Sequence, residues 1–84
     1  MEQFQNKVVW ITGASSGIGE AVAKAFNAAG ATVLVSSRRR EELERVKGAC
    51  AFPEKVHVFP LDLTQASSIE TVSSEVLSKF EIDL

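Results

Sequence analysis

The sequence is poor in residues that announce covalent or metal chemistry. Cys50 is its one cysteine, so an internal disulfide is excluded. A reducing, intracellular setting is the expectation, either cytoplasmic or inside an organelle. His57 is its one histidine; with no second ligand at metal spacing, no metal site is expected. Positive charge is not in surplus: 9 Lys and Arg stand against 11 Asp and Glu, for a formal net charge of -2. A nucleic-acid binder would show a basic face or stripe. No apolar run approaches the roughly 18 residues that span a bilayer. Residues 1–7, with Glu2 and an isolated Phe4, lack the basic start and apolar middle of a signal peptide. Neither nucleic acid nor membrane is an expected partner.

What is present reads as an ordinary globular segment. The chain has 84 residues, 45% of them hydrophobic and 24% charged, which is the balance of a folded domain rather than a disordered one. A chain of this size buries only about 60% of the surface its unfolded form exposes, so it folds with little margin. Residues 1–84 form one segment without repeat, linker or low-complexity stretch.

Short β-branched runs alternate with longer stretches of helical period. Val8-Val9-Trp10-Ile11 is a continuous apolar run, as expected of a strand covered on both faces of a parallel sheet. Ile18, Val22, Ala25, Phe26 and Ala29 then fall on one helical face, and Gly30 stands where a helix C-terminal glycine belongs. Thr32-Val33-Leu34-Val35 reads as a second buried strand. A short helix is predicted over residues 41–47, with Leu43 and Val46 inward and the pairs Arg40/Glu44 and Glu41/Arg45 on its wet side. After Pro53, Lys55-Val56-His57-Val58-Phe59 is the third strand. Thr64 is a candidate N-cap for a last helix carrying Ile69, Val72, Val76 and Phe80 at three- and four-residue steps. With right-handed crossovers, this strand–helix alternation is an α/β fold: the first half of a doubly wound, Rossmann-type parallel sheet with strand order 3-2-1.

Between the first strand and the first helix lies Thr12-Gly13-Ala14-Ser15-Ser16-Gly17-Ile18-Gly19. Glycine suits such a stretch for three reasons. It adopts positive φ cheaply, it lets backbone approach a diphosphate, and it lets the helix pack close to the strand. The helix start adds unpaired N–H groups and a partial positive charge, and Ser15 and Ser16 add hydroxyl donors. A P-loop would need Gly-Lys-Ser/Thr after its gap, and no lysine is there. The spacing is also not G-x-G-x-x-G. It is Thr-Gly-x-x-x-Gly-x-Gly, and with this octet the sequence resembles the short-chain dehydrogenase/reductase family.

The second strand runs into Ser36-Ser37-Arg38-Arg39-Arg40, with no acid before Glu41. An NAD site would want an acidic side chain here for the ribose hydroxyls. In register with the family, Ser37 stands where NAD-preferring members carry aspartate. Arg38, and after it Arg39, offers a planar fork of donors suited to the 2′-phosphate of NADP. NADP (NADPH) is therefore the expected cofactor and NAD the disfavoured one. A basic loop merely paired with Glu41, Glu42 and Glu44 is the bland alternative. The resemblance further implies that Asp62 accepts a hydrogen bond from the adenine amino group and that Leu63 lines the same pocket; helix capping is the alternative for Asp62. The diphosphate and adjoining ribose would fall to Gly13, Ser15, Ser16, Gly17, Ile18 and Gly19.

The family's proton chemistry uses a tyrosine and a lysine, and this chain has no tyrosine. The expectation is a cofactor-binding part of an oxidoreductase that moves hydride between the nicotinamide and a small carbonyl or alcohol, with catalytic residues outside these 84. The resemblance implies a homo-oligomer for the complete protein. A fourth strand would follow, and without it the Val8-Val9-Trp10-Ile11 strand would be an open edge. Two alternatives stay open: a non-catalytic nucleotide-binding or regulatory module, and a fragment that completes its sheet with a partner chain. Cys50 reads as a quiet structural thiol, Trp10 and Phe26 as core, and Glu20, Glu70 and Glu75 as solvated helix positions.

Overall fold

A computed structural model describes residues 5–14, 17–62 and 65–83. The elements are β1 (Val8–Thr12), α1 (Gly17–Ala28), β2 (Thr32–Ser36), α2 (Arg40–Ala49), a 3-10 turn (Pro53–Lys55), β3 (Val56–Val58) and α3 (Ala66–Lys79). The strands form one parallel sheet in the order β1-β2-β3, the predicted order read from its other edge. Val9 pairs with Val33 and Val33 with Val56, while Trp10 pairs with Leu34 and Leu34 with His57. Because side chains alternate across a strand, these two rows face opposite ways.

The Val9 row carries the core. Val9, Val33, Val35 and Val56 pack with Ala23 of α1, Leu43 and Val46 of α2, and Cys50, with Ile11, Phe26 and Val58 around them. On the opposite row Leu34 is fully buried. Phe80, the residue closing α3, sets its ring 5.0 Å from His57 and 6.2 Å from Phe59. Helices thus cover both faces. Trp10 and Phe26 are half-buried, at the border of the core rather than inside it.

The buried face of α1 differs from the predicted one. Ile18 is 84% and Val22 37% exposed, Ala25 is exposed and Ala29 half-buried. The fully buried residues of the helix are Ala23 and Asn27, and of the predicted face Phe26 alone packs against the core. A helix pressed closely onto a sheet needs small side chains at the contact, and the apolar periodicity picks out large ones instead. Asn27 is fully buried because its amide serves as a backbone partner: Nδ2 donates to the Phe52 carbonyl at 2.9 Å and Oδ1 accepts from the Phe52 N–H at 2.8 Å. Gly30, at φ 98°, ends the helix as expected.

Smaller differences have local causes. α2 runs Arg40–Ala49, longer than predicted, with Leu43 and Val46 inward as expected. Pro53 opens the 3-10 turn, which takes Lys55 out of the strand; Phe59 still extends the ladder through its N–H to the Val35 carbonyl at 2.9 Å. Gln65 holds the N-cap position of α3, and Thr64 lies outside the described residues. Beside the start of β1, Asp83 donates its N–H to the Val8 carbonyl (2.9 Å) and accepts the Val8 N–H on Oδ2 (2.8 Å). Among the described residues no helix is long and apolar enough to cross a membrane.

Candidate functional site

Parallel strands end together, so the segments after β1, β2 and β3 meet at one edge of the sheet. Ser36 and Ser37 join them through backbone bonds. The Ser36 carbonyl accepts the N–H groups of Gly13 (2.8 Å) and Ala14 (3.3 Å), holding the bend after β1 against the end of β2. The Ser37 carbonyl accepts the Leu61 N–H at 2.8 Å, drawing in the segment after β3 that contains Asp62. Gly13, Ser37 and Asp62 are thereby gathered at one edge. Ser15, Ser16 and Leu63, also predicted site residues, lie outside the described residues.

The glycines of the bend have different reasons to be glycine. Gly13 has φ +70°, a conformation that other L-residues adopt at a cost. Gly19 is a matter of space. A Cβ there would fall onto the Gly13 carbonyl oxygen, 2.9 Å from its carbon and 3.1 Å from the Ala14 Cα. Helix α1 therefore enters by resting on the bend. Gly17 has neither reason: its φ is not positive and, among the described residues and apart from its chain neighbours and its own helix backbone, no atom lies within 4 Å of where a Cβ would be. It opens α1, exposed, beside Ile18. The first N–H groups of a helix have no carbonyl partner within it, and they carry the positive end of the helix dipole.

Ser37 is half-buried, and its hydroxyl accepts the Arg39 N–H at 3.3 Å. Arg38 and Arg39 are exposed, and among the described residues neither side chain has an acidic partner. Arg40 pairs with Glu44 at 3.4 Å, as predicted. Arg45 does not pair with Glu41. It reaches Glu42 at 3.1 Å and, across to α1, Glu20 at 3.0 Å. Glu20 also holds Lys24 at 2.8 Å and is only 17% exposed, so it is not the solvated position expected of it. Hydrogen bonds from Arg45 and then Lys24 hold its carboxyl well below the usual 4.5, at about 2. Its hydrogen bonds to Glu20, and then to Glu42, raise Arg45.

Asp62 is half-buried; its carbonyl accepts the Gln65 N–H (3.1 Å) and its N–H meets Ser68 Oγ at 3.4 Å. These bonds fix the backbone of Asp62 at the entry to α3. Cys50 is buried, which raises its thiol above the ordinary range. Burial lowers His57, with the charge of Lys47 acting the same way.

The sequence pattern of the family described as short chain dehydrogenase matches residues 7–83. The chain belongs to this family. Dehydrogenase/reductase SDR family member 7 of Mus musculus is 46% identical over 88 residues, covering 98% of the chain and 26% of the mouse protein. The fatty acyl-CoA reductase of Acinetobacter baylyi is 42% identical, covering 95% of the chain and 28% of that protein. Among solved structures, the 3-ketoacyl-(acyl-carrier-protein) reductase from Brucella melitensis, complexed with NADH, superposes with a TM-score of 0.84 at 33% identity, covering 96% of the chain and 33% of that structure. The chain thus spans about a quarter of the length of these two sequence relatives.

Within this short-chain dehydrogenase frame two of the contacts that have no counterpart in the sequence reading bear on the arrangement of the elements around the site. One is the Glu20–Arg45 pair between α1 and α2. The other is a bond from Trp10 Nε1 to the hydroxyl of Ser36, 2.9 Å long. Spacing rules show partners within one helix; neither contact lies within one element.

Proposed function

We propose that this chain supplies the NADP-binding surface of an oxidoreductase that exchanges hydride with a carbonyl or alcohol. One observation carries the cofactor choice. The edge that gathers the bend, Ser37 and Asp62 presents Arg38 and Arg39 exposed and, among the described residues, unpaired with acid, and Ser37 stands where an acid would serve NAD. The fit to a dinucleotide rests on Gly17 and on the start of α1. The space that the described residues leave beside Gly17 admits a ligand close to the backbone, and the helix N-terminus offers N–H donors to an anion.

The residues divide the work as follows. Gly17, Ile18 and Gly19, with Ser15 and Ser16, hold the diphosphate and the adjoining ribose at the positive end of α1, and Gly13 shapes the turn that brings them there. Arg38, seconded by Arg39 and Ser37, binds the 2′-phosphate through charge-assisted hydrogen bonds. Asp62, acceptor-only when ionised, takes the adenine amino group, with Leu63 beside it. The nicotinamide, when bound, supplies or accepts the hydride. Two similar proteins are named as reductases of acyl substrates, which favours a carbonyl as the group reduced.

Titration of the protein that carries this chain with NADPH and NADH tests the assignment. Wild type should prefer NADPH, and Arg38→Glu should lose about 10-fold or more in NADPH affinity, the scale of a hydrogen bond to a charged group. NADH binding should be nearly unchanged. Equal affinity of the wild type for both cofactors would retire NADP.

A further inference from the structure

We propose that Trp10 and Ser36 are a positioning pair that sets the distance between the diphosphate-binding end of α1 and the arginines after β2. The inference rests on the dinucleotide reading above. Trp10 lies on β1, in register with Leu34, and its indole N–H reaches diagonally to the Ser36 hydroxyl at 2.9 Å. Ser36 is fully buried, so water does not replace that donor when it is lost. The same residue's carbonyl takes the Gly13 and Ala14 amides. Its chain continues directly into Ser37, Arg38 and Arg39.

Ser36 therefore faces three ways: hydroxyl to the β1 side chain, carbonyl to the bend, backbone onward to the arginines. The path from Trp10 through Thr12 and Gly13 to the Ser36 carbonyl and back through its hydroxyl is a closed ring. Each link in it is covalent or a hydrogen bond. Without the indole bond, the end of β2 is held to β1 only through backbone, by the ladder pairing of Thr12 with Ser36 and by the Ser36 carbonyl, and it gains freedom to shift against the bend. A ligand that touches both places feels that shift more than one that touches the bend alone. NADPH, with its 2′-phosphate at Arg38, is the two-point ligand; NADH is the one-point ligand.

The test uses Trp10→Phe, Ser36→Ala and the double variant in the protein that carries this chain, titrated with NADPH and with NADH, with Tm measured alongside. Each single variant should weaken NADPH about fivefold, the scale of one net hydrogen bond, and NADH less. The double variant should be no weaker than the singles, since both remove one interaction. Should Trp10→Phe fail to fold, Ser36→Ala, which removes a single oxygen, carries the test. Variants that lower Tm yet bind NADPH like the wild type would reduce the pair to packing and overturn the inference alone. A wild type that binds neither cofactor would overturn the function reading and this inference with it.

Discussion

The two edges of the sheet are built differently. At the edge where the strands begin, side chains close the connections: Asn27 clasps the Phe52 backbone at 2.8 and 2.9 Å, Lys55 Nζ reaches the Gly30 carbonyl at 3.4 Å, and the Asp83 carboxylate takes the Val8 N–H at 2.8 Å. At the edge where the strands end, the carbonyls of Ser36 and Ser37 tie the segments by backbone bonds at 2.8 to 3.3 Å. Side chains consumed in joining loops are not available to a ligand. Backbone joints leave Arg38 and Arg39 exposed. On the proposed function the first edge serves stability and the second serves binding, and the two should respond separately to substitution.

The largest effect is expected at the closed edge. Asn27→Ala removes both bonds to Phe52 and leaves part-buried backbone groups unpartnered, which should cost about 3 kcal/mol of stability. NADPH affinity of the protein that remains folded should stay unchanged. Denaturant titration and cofactor titration of the same sample check both halves, and a fall in affinity at full folding would blur the contrast between the edges. At the open edge, Gly17→Ala should do the reverse. Among the described residues no atom opposes the added methyl and alanine favours the helix, so Tm should hold or rise, while NADPH affinity falls about 10-fold by obstruction of close approach. Unaltered affinity would mean that the ligand does not come near Gly17.

The smallest effect sharpens the comparison through pH. Glu20 links α1 to α2 behind the binding edge, and its carboxyl lies at about 2 against an ordinary 4.5. A depressed carboxylate adds stability above its unfolded value, and that stability is lost as pH falls through the folded one. Wild type should therefore lose stability between pH 4.5 and about 2, and Glu20→Gln should flatten that part of the profile while leaving neutral-pH cofactor binding nearly intact. Tm measured across this range decides it. Parallel profiles for the two proteins would show that the ion pair contributes nothing.

Much of this was legible from residue order. β-branched runs marked all three strands, because a strand buried in a parallel sheet needs apolar residues on both faces. Leu43, Val46 and Val76 are fully buried where helical period put them. The glycine octet marked the bend, since each chemical need there restricts the side chain to hydrogen or to something small. The inward face of α1 was not legible. Apolar period finds the greasiest stripe, Ile18 and Val22, whereas contact with the sheet selects the smallest side chain, Ala23, and an amide that mimics backbone, Asn27. Sequence spacing also assigns Arg45 the wrong acid, for a related reason. Spacing along α2 favoured Glu41, and only the approach of α1 brings Glu20 within 3.0 Å. Trp10 and Ser36 each look unremarkable until β1 and β2 lie side by side.

The double acceptance at the Ser36 oxygen acts as a ruler. It pins the bend to one residue of β2, and Arg38 follows at a fixed count along the chain. Arg38 lies past the end of β2, so one residue inserted between Ser36 and Arg38 would carry the guanidinium as much as about 3.8 Å farther from that oxygen along the chain without touching the bend. Charge alone in this segment is thus insufficient; on the proposed function, its distance from that oxygen decides whether it reaches the phosphate.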